Sequence, residues 1–368
     1  MATAHSLSEG PAARTREWRE VTAKMLREQI IPLDRPAVLK GVVKDWPIVR
    51  TAAQSLEALG EYLRERDRGR PVRVMVGPPQ IGGVYFFRDD LSGLNFENAH
   101  RPVHEVYAAI LASRAQPDPP AIYTGAAALD DTVPALIAEC PLTVLDTPAR
   151  PRLWLGNAVT AATHYDNSDG INCIVVGRKR FTFFPPEQFR NLYIGPLELG
   201  PGGQPTSLVR VKAPDPERYP RYAEALAAAE TAEVEPGDAI YIPNLWWHNV
   251  ESLEAVNLSV NFWWADAGEW AAEPFAALAH TLLALHGLPQ SRREVWREMF
   301  EHYAFRTEGE PVPYLPPERR GILGTLSAKL QEHMRAQVIR SLTKRMSPQL
   351  GEGIRRLLWE ARVRGEGR

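Results

Sequence analysis

The sequence predicts a mainly β protein with a mixed N-terminal elaboration and a helical C-terminal region. Three observations predict it. From about residue 70 to 265, short apolar runs alternate with Gly, Pro, Asn and Asp turns, the rhythm of a barrel or double sheet. Ahead of them, residues 14–65 mix helix and strand signals. Beyond Trp264, Leu326, Leu330, Met334, Val338 and Leu342 recur every four residues and lay one apolar stripe along a helix.

Residues 1–13 are polar and Ala/Ser-rich, without the apolar core of a secretory signal, and read as a flexible N-terminus. Trp18 to Gln29 then suits a helix, Ala37 to Gly41 a strand and Ser55 to Leu63 a second helix. The apolar runs Asn172–Gly177 and Arg178–Phe184 meet at Gly177-Arg178, which predicts a hairpin turn. Gly195 to Pro220 is too long for an ordinary connection, and reads as a substrate-facing loop or a solvated insertion. Pro236-Gly237-Asp238 turns into a short apolar strand that Pro243 breaks before the stretch ending at His248. The expected organisation is a tail (1–13), a catalytic domain (14–265) and a helical region (266–368). In the last, Ile354, Leu357, Leu358 and Trp359 extend the apolar surface. Such a surface is hidden either on the chain's own barrel or in a partner copy.

Composition narrows the function classes. A chain of 368 residues buries a sizeable core as one large or two ordinary domains. A net charge of −2 leaves no bulk electrostatic footprint for nucleic acid. No stretch approaches the apolar length of a membrane span. Cys140 and Cys173 are the only cysteines, too few for a disulfide framework or a zinc site, which suits a reducing, cytoplasmic setting.

The chemistry starts at His164-Tyr165-Asp166. On an extended strand, side chains two apart share a face, so His164 and Asp166 reach one metal while Tyr165 turns away. Nine His and 45 acidic residues produce about one such triplet by chance, so the triplet alone carries no weight. Its company does. A distant strand bearing His248 adds a second imidazole, and two His with one carboxylate bind non-haem Fe(II) on one face with open positions opposite.

Several further stretches complete a pattern: Asp34 to Gly41 with Lys44 to Pro47, Lys179-Arg180 leading to Phe184-Pro185-Pro186, Pro214 to Pro220, Pro236 to His248, and Val260 to Trp264. Spanning about residues 30–265, they resemble the JmjC/cupin-like family of Fe(II)- and 2-oxoglutarate-dependent oxygenases. The likeness is to the asparaginyl hydroxylases that act on hypoxia-inducible factor and to their bacterial cupin-like relatives. That resemblance implies a double-stranded β-helix of the jelly-roll, cupin type, with Fe(II), 2-oxoglutarate and O2 as its reaction partners. It also implies release of succinate and CO2 as a substrate C–H bond is hydroxylated.

The resemblance assigns further roles. Lys179 matches the lysine that receives the far carboxylate of 2-oxoglutarate, a buried charge that needs a fixed cation. Arg178 and Arg180 alternate to the opposite face. Tyr123 resembles the tyrosine that hydrogen-bonds the same carboxylate, and a core tyrosine is the alternative reading. Thr160 and Thr163 are rival hydroxyl donors, because the family's threonine position is Ala161 here. Asn261 matches an asparagine near the co-substrate. A second family asparagine falls on Gly170, with Asn172 two positions later as its substitute or as a plain strand residue. Trp263 and Trp247 are candidates to contact substrate, although at least two of Trp246, Trp247, Trp263 and Trp264 belong in the core.

Three functions compete: an oxygenase hydroxylating a protein side chain or a small molecule, a lysyl demethylase using the same iron chemistry, and a non-catalytic cupin-like binding protein. The ligand trio together with Lys179 argues against the third, no methyl-ammonium cage or histone-reader module is legible for the second, and the first is favoured. The resemblance further implies a homodimer through the C-terminal helices.

Overall fold

The computed structural model describes residues 13–264 and 274–343. The chain divides into two units, Met1–Asp266 and Ala267–Arg368. The expected flexible tail falls almost wholly outside the described residues, as do Ile354, Leu357, Leu358 and Trp359.

Two sheets build the first unit. One runs β1 (Ala13–Arg14), β12 (Glu230–Val234), β11 (Lys179–Phe184), β14 (Trp247–Ser252), β9 (Thr160–His164) and β5 (Val84–Tyr85). The other runs β2 (Arg16–Trp18), β3 (Ala37–Leu39), β13 (Ala239–Ile242), β10 (Asp169–Val176), β15 (Asn257–Trp264), β8 (Arg150–Gly156), β7 (Ala121–Ala128), β4 (Val72–Gly77) and β6 (Glu97–Arg101). Helices join them, so the architecture is mixed α/β rather than mainly β.

The helices cover one face of the larger sheet. Ile48 of Pro47–Gln54, Leu59 and Leu63 of Leu56–Arg66, and Val106 and Ile110 of Val103–Ser113 share a core with Leu153, Leu155, Ile171, Cys173, Leu258 and Val260. Ser55 caps the second of these helices by accepting from Ala58 N at 3.0 Å. The opposite faces of the same strands carry Asn172 and Asn261, paired directly across β10 and β15. Strand alternation thus separates a dry core from a polar cavity one residue away. The expected helix from Trp18 to Gln29 begins later. Trp18 pairs in parallel with Leu39, and helical turns run from Ala23 through Leu33.

The turn at Gly177-Arg178 is not a hairpin. β10 belongs to the nine-stranded sheet and β11 to the six-stranded one, so the chain crosses between sheets there. Gly177 has φ +75°, and a Cβ on it would meet Val256 O at 2.6 Å. Gly177→Ala is therefore expected to lower stability by about 2 kcal/mol or more, from left-handed strain plus the backbone clash. A urea midpoint equal to wild type would show that the crossing tolerates a side chain.

In the second unit, helices Pro274–Leu285, Gln290–Met299 and Ala328–Thr343 contain no buried residue. Among the described residues, no helix is long and apolar enough to cross a membrane.

Candidate metal centre

β14 lies between β9 and β11, and its register sets His248 directly opposite His164. The two rings are 4.4 Å apart between centroids. Asp166 follows the end of β9, where its carbonyl accepts from Leu245 N at 3.1 Å and pins the segment beside the His248 strand. Its carboxylate lies 3.9 Å from His248 Nε2. One donor atom from each of the three residues lies within 4.8 Å of the others. Tyr165 turns away and packs its ring edge-on against Trp247 at 4.8 Å.

The imidazoles are oriented for ligation. His164 Nδ1 lies 2.7 Å from Ala162 O, and His248 Nδ1 lies 2.9 Å from Trp246 O. A ring nitrogen next to a carbonyl oxygen must carry the proton, which leaves each Nε2 lone pair free for a metal. Burial, with His164 beside it, pushes His248 down to about 4, so it is a neutral ligand near pH 7. Two neutral nitrogens and one carboxylate on one side of an open cavity fit Fe(II).

That cavity, of about 160 Å³, runs between the sheets and is lined by all three residues and by Lys179, Tyr123, Asn172, Asn261 and Trp263. Lys179 is 4% exposed and crosses the gap to donate to Ser259 Oγ at 2.8 Å. Among the described residues it has no carboxylate partner, and burial draws its ammonium down to about 7. Arg178 and Arg180, on the opposite face, meet Glu254 and Glu233 at 2.8 and 2.6 Å. The Oδ1 atoms of Asn172 and Asn261 are buried without a partner, and burial keeps the Tyr123 phenol protonated. A buried cation without a carboxylate fits a bound dicarboxylate, to which the Nδ2 groups of Asn172 and Asn261, rather than their acceptor Oδ1 atoms, would donate.

The remaining sequence candidates separate. Thr160 does not reach this cavity. Between the pairs His248–His164 and Val250–Ala161, β9 carries one residue more than β14, and this bulge reverses the alternation. Ala161 therefore faces the metal side, while Thr160 lines a separate pocket with Asn249 and Glu251. Thr163 is buried with its hydroxyl unpartnered and lines neither cavity. Trp247 is core, packed with Phe184, Leu192 and Tyr222, whereas Trp263 faces the cavity and meets Trp154 edge-on at 5.6 Å. Gly170 pairs with Trp263, and a Cβ on it would lie 2.8 Å from the Trp263 ring. An asparagine cannot fit there, and Asn172, two residues on, lines the cavity.

Sequence reasoning missed Ser259, Trp154, Thr206 and Arg73. Ser259 could have been found by strand alternation from Asn261, and Trp154 as the residue between the inward Leu153 and Leu155. Thr206 reaches the cavity because the Gly195–Pro220 excursion folds back to bridge His164, bringing Pro201, Gly202 and Gln204 into the lining.

A sequence profile of the cupin-like domain matches residues 22–269. The chain belongs to the cupin-like domain family. Its relatives carry JmjC names among others. It is 34% identical over 112 residues to the lysine-specific demethylase JMJ31 of Arabidopsis thaliana, covering 30% of this chain and 20% of that protein. It is 27% identical over 260 residues to the HSPB1-associated protein 1 of Rattus norvegicus, covering 66% and 51%. With the Jumonji C domain-containing protein 5 of Drosophila melanogaster it shares 36% over 128 residues, covering 34% and 30%. The aligned regions thus span from a fifth to about half the length of these relatives.

Proposed function

We propose that this cupin-like chain is an Fe(II)- and 2-oxoglutarate-dependent oxygenase that hydroxylates a protein side chain or a small molecule, releasing succinate and CO2. The observation that carries this reading is the His164/Asp166/His248 trio sharing one cavity with the buried, carboxylate-free Lys179. Fe(II), bound with 2-oxoglutarate and O2, supplies the oxidising chemistry. The chain's own residues do the positioning. His164, Asp166 and His248 hold the ion on one side and leave the other open. Lys179, with the Tyr123 hydroxyl as a donor, would fix the far carboxylate, and Asn172 and Asn261 offer amides in the same cavity. Trp154 and Trp263 exclude water from one wall of the cavity.

The fold supports this reading in finer detail. From β9 to β15 the chain changes sheet at every step except β11 to β12, the winding of a double-stranded β-helix. We take the catalytic domain as 14–265 and the setting as cytoplasmic, since Cys140 and Cys173 are buried free thiols.

Succinate release from 2-oxoglutarate, dependent on added Fe(II), is the expected result with purified protein. Its absence across a wide substrate panel, with no Fe(II) binding, would favour a non-catalytic binding protein. The demethylase reading is favoured by the name of the Arabidopsis relative, and formaldehyde among the products would establish it over stable hydroxylation.

We also propose a homodimer through the C-terminal unit. Leu282, Leu283, Val295, Trp296, Val338 and Ile339 are large apolar side chains left exposed on its described helices. Light scattering is expected to give twice the 41.2 kDa chain mass, and Leu330→Glu with Val338→Glu to halve it. A mass near one chain at micromolar concentration would exclude the dimer.

A further inference from the structure

The cavity grades from dry to wet. His248, Lys179 and Asn261 are at most 5% exposed, while Arg73 and Gly202, in the same lining, are solvent-exposed. The exposed end is the mouth. Among the described residues, the charged groups of the lining are Arg73, Asp166 and Lys179. On the oxygenase reading, Asp166 belongs to the metal and Lys179 to the co-substrate. Arg73 is left over.

Arg73 is held rather than waving in solvent. Its Nε donates to Asn98 Oδ1 at 2.7 Å and its Nη2 to Pro201 O at 3.3 Å, so β6 and the Gly195–Pro220 excursion both orient it. A second guanidinium is fixed beside the same wall. Arg152 stands two residues before Trp154 on β8, hence on the same face. It donates from Nη1 to Ala126 O at 3.0 Å and lies 5.9 Å from the Trp263 ring centroid. Ala126 and Trp263 both line the cavity. Among the described residues neither arginine has a carboxylate partner; both are tethered by neutral oxygens. Neutral acceptors orient a guanidinium without cancelling its charge, so its remaining N–H groups still present a planar fork to an incoming oxyanion.

We propose that Arg73 at the mouth, with Arg152 fixed beside the same wall, selects a substrate bearing a carboxylate, so that the acceptor is an acidic peptide or a small carboxylic acid rather than a cationic one. This rests on the oxygenase reading for the identity of the inner end of the cavity, but the selection itself is a property of the mouth. Positive charge at a low-dielectric cleft concentrates anions and repels ammonium groups. The aromatic wall beyond it, Tyr123, Trp154 and Trp263, then accepts the apolar part of the same molecule.

The test uses the full chain and fluorescence anisotropy at low salt. Three labelled hexapeptides serve as probes, alternating Ser with Glu, with Lys or with Gly. The Glu peptide is expected to bind about tenfold or more tightly than the Gly peptide, and Arg73→Glu with Arg152→Glu to erase that preference. Competition by millimolar N-acetylglutamate would assign the site to small acids, and its failure to compete would assign it to acidic peptides. Equal or tighter binding of the Lys peptide to wild type would overturn the proposal. So would Glu-peptide binding that survives both charge reversals. The wild-type contrast stands alone should the reversed chain fail to fold. Fe(II) and 2-oxoglutarate binding, titrated separately on wild type, tests the oxygenase reading, so failure of one leaves the other legible.

Discussion

Asp166→Ala is expected to abolish Fe(II) binding and 2-oxoglutarate turnover together. The carboxylate is the one anionic donor of the trio, 3.9 Å from His248 Nε2, and without it a divalent cation meets two neutral imidazoles only. Groups that merely orient a ligand are worth about 10–100-fold in metal affinity, so losing a ligand outright exceeds that range. The substitution removes little packing, because Asp166 follows the strand and its backbone contact to Leu245 N remains. Isothermal titration with Fe(II) under anaerobic conditions, beside thermal melting, separates loss of the site from loss of the fold. Asp166→Glu keeps the charge on a longer arm and is expected to retain weak binding with negligible turnover. Full activity in a His164→Ala/His248→Ala double variant would rule the site out.

Lys179→Ala is expected to weaken 2-oxoglutarate binding by about two to three orders of magnitude, since removing one partner of a buried pair typically costs about 3–5 kcal/mol. Fe(II) affinity should be spared, because Lys179 makes its hydrogen bond to Ser259 and not to a metal ligand. The pH dependence gives an independent check. Burial holds the free ammonium down to about 7, whereas the bound dicarboxylate stabilises the protonated form and raises it. Binding therefore takes up a proton above pH 7, and affinity should fall about tenfold per pH unit from there until the pKa of the complex is reached. Below pH 7 Lys179 is already charged and contributes no slope. The same depression lowers fold stability in the free protein wherever the buried amine is protonated, and that cost is relieved as pH rises from 7 toward the unfolded value. A 2-oxoglutarate affinity unchanged by Lys179→Ala would move the role to another cation.

The metal ligands were readable in the sequence because their geometry is local. The two-residue spacing pointed to His164 and Asp166 together, although Asp166 lies past the end of β9 and the Leu245 contact helps hold it, and His248 ends a segment whose turn, strand and proline break are all signalled by residue type. The place of Lys179 in the cavity agrees with the position the resemblance implies, and Arg178 and Arg180 turn to the opposite face by alternation. The cores under Ile171, Cys173, Leu258 and Val260 follow from the same period of two.

What the tertiary structure alone decided turns on pairing. A Gly-Arg turn announces a reversal but not whether the next strand pairs with the last one, and here β11 leaves for the other sheet. Thr160 was assigned a cavity it does not enter because a bulge in β9 shifts the face of every residue before it, and a bulge exists only relative to a partner strand. Trp247 and Trp263 read alike as aromatics near ligands. The first is set in the core and the second in the cavity by which neighbours their strands acquire. Arg73 and Arg152 lie 79 positions apart with no shared motif. Only the sheet order, which puts β8, β7 and β4 side by side, sets both guanidiniums along one wall. Periodicity fixes which side chains share a face within a strand, whereas long-range register decides what that face confronts.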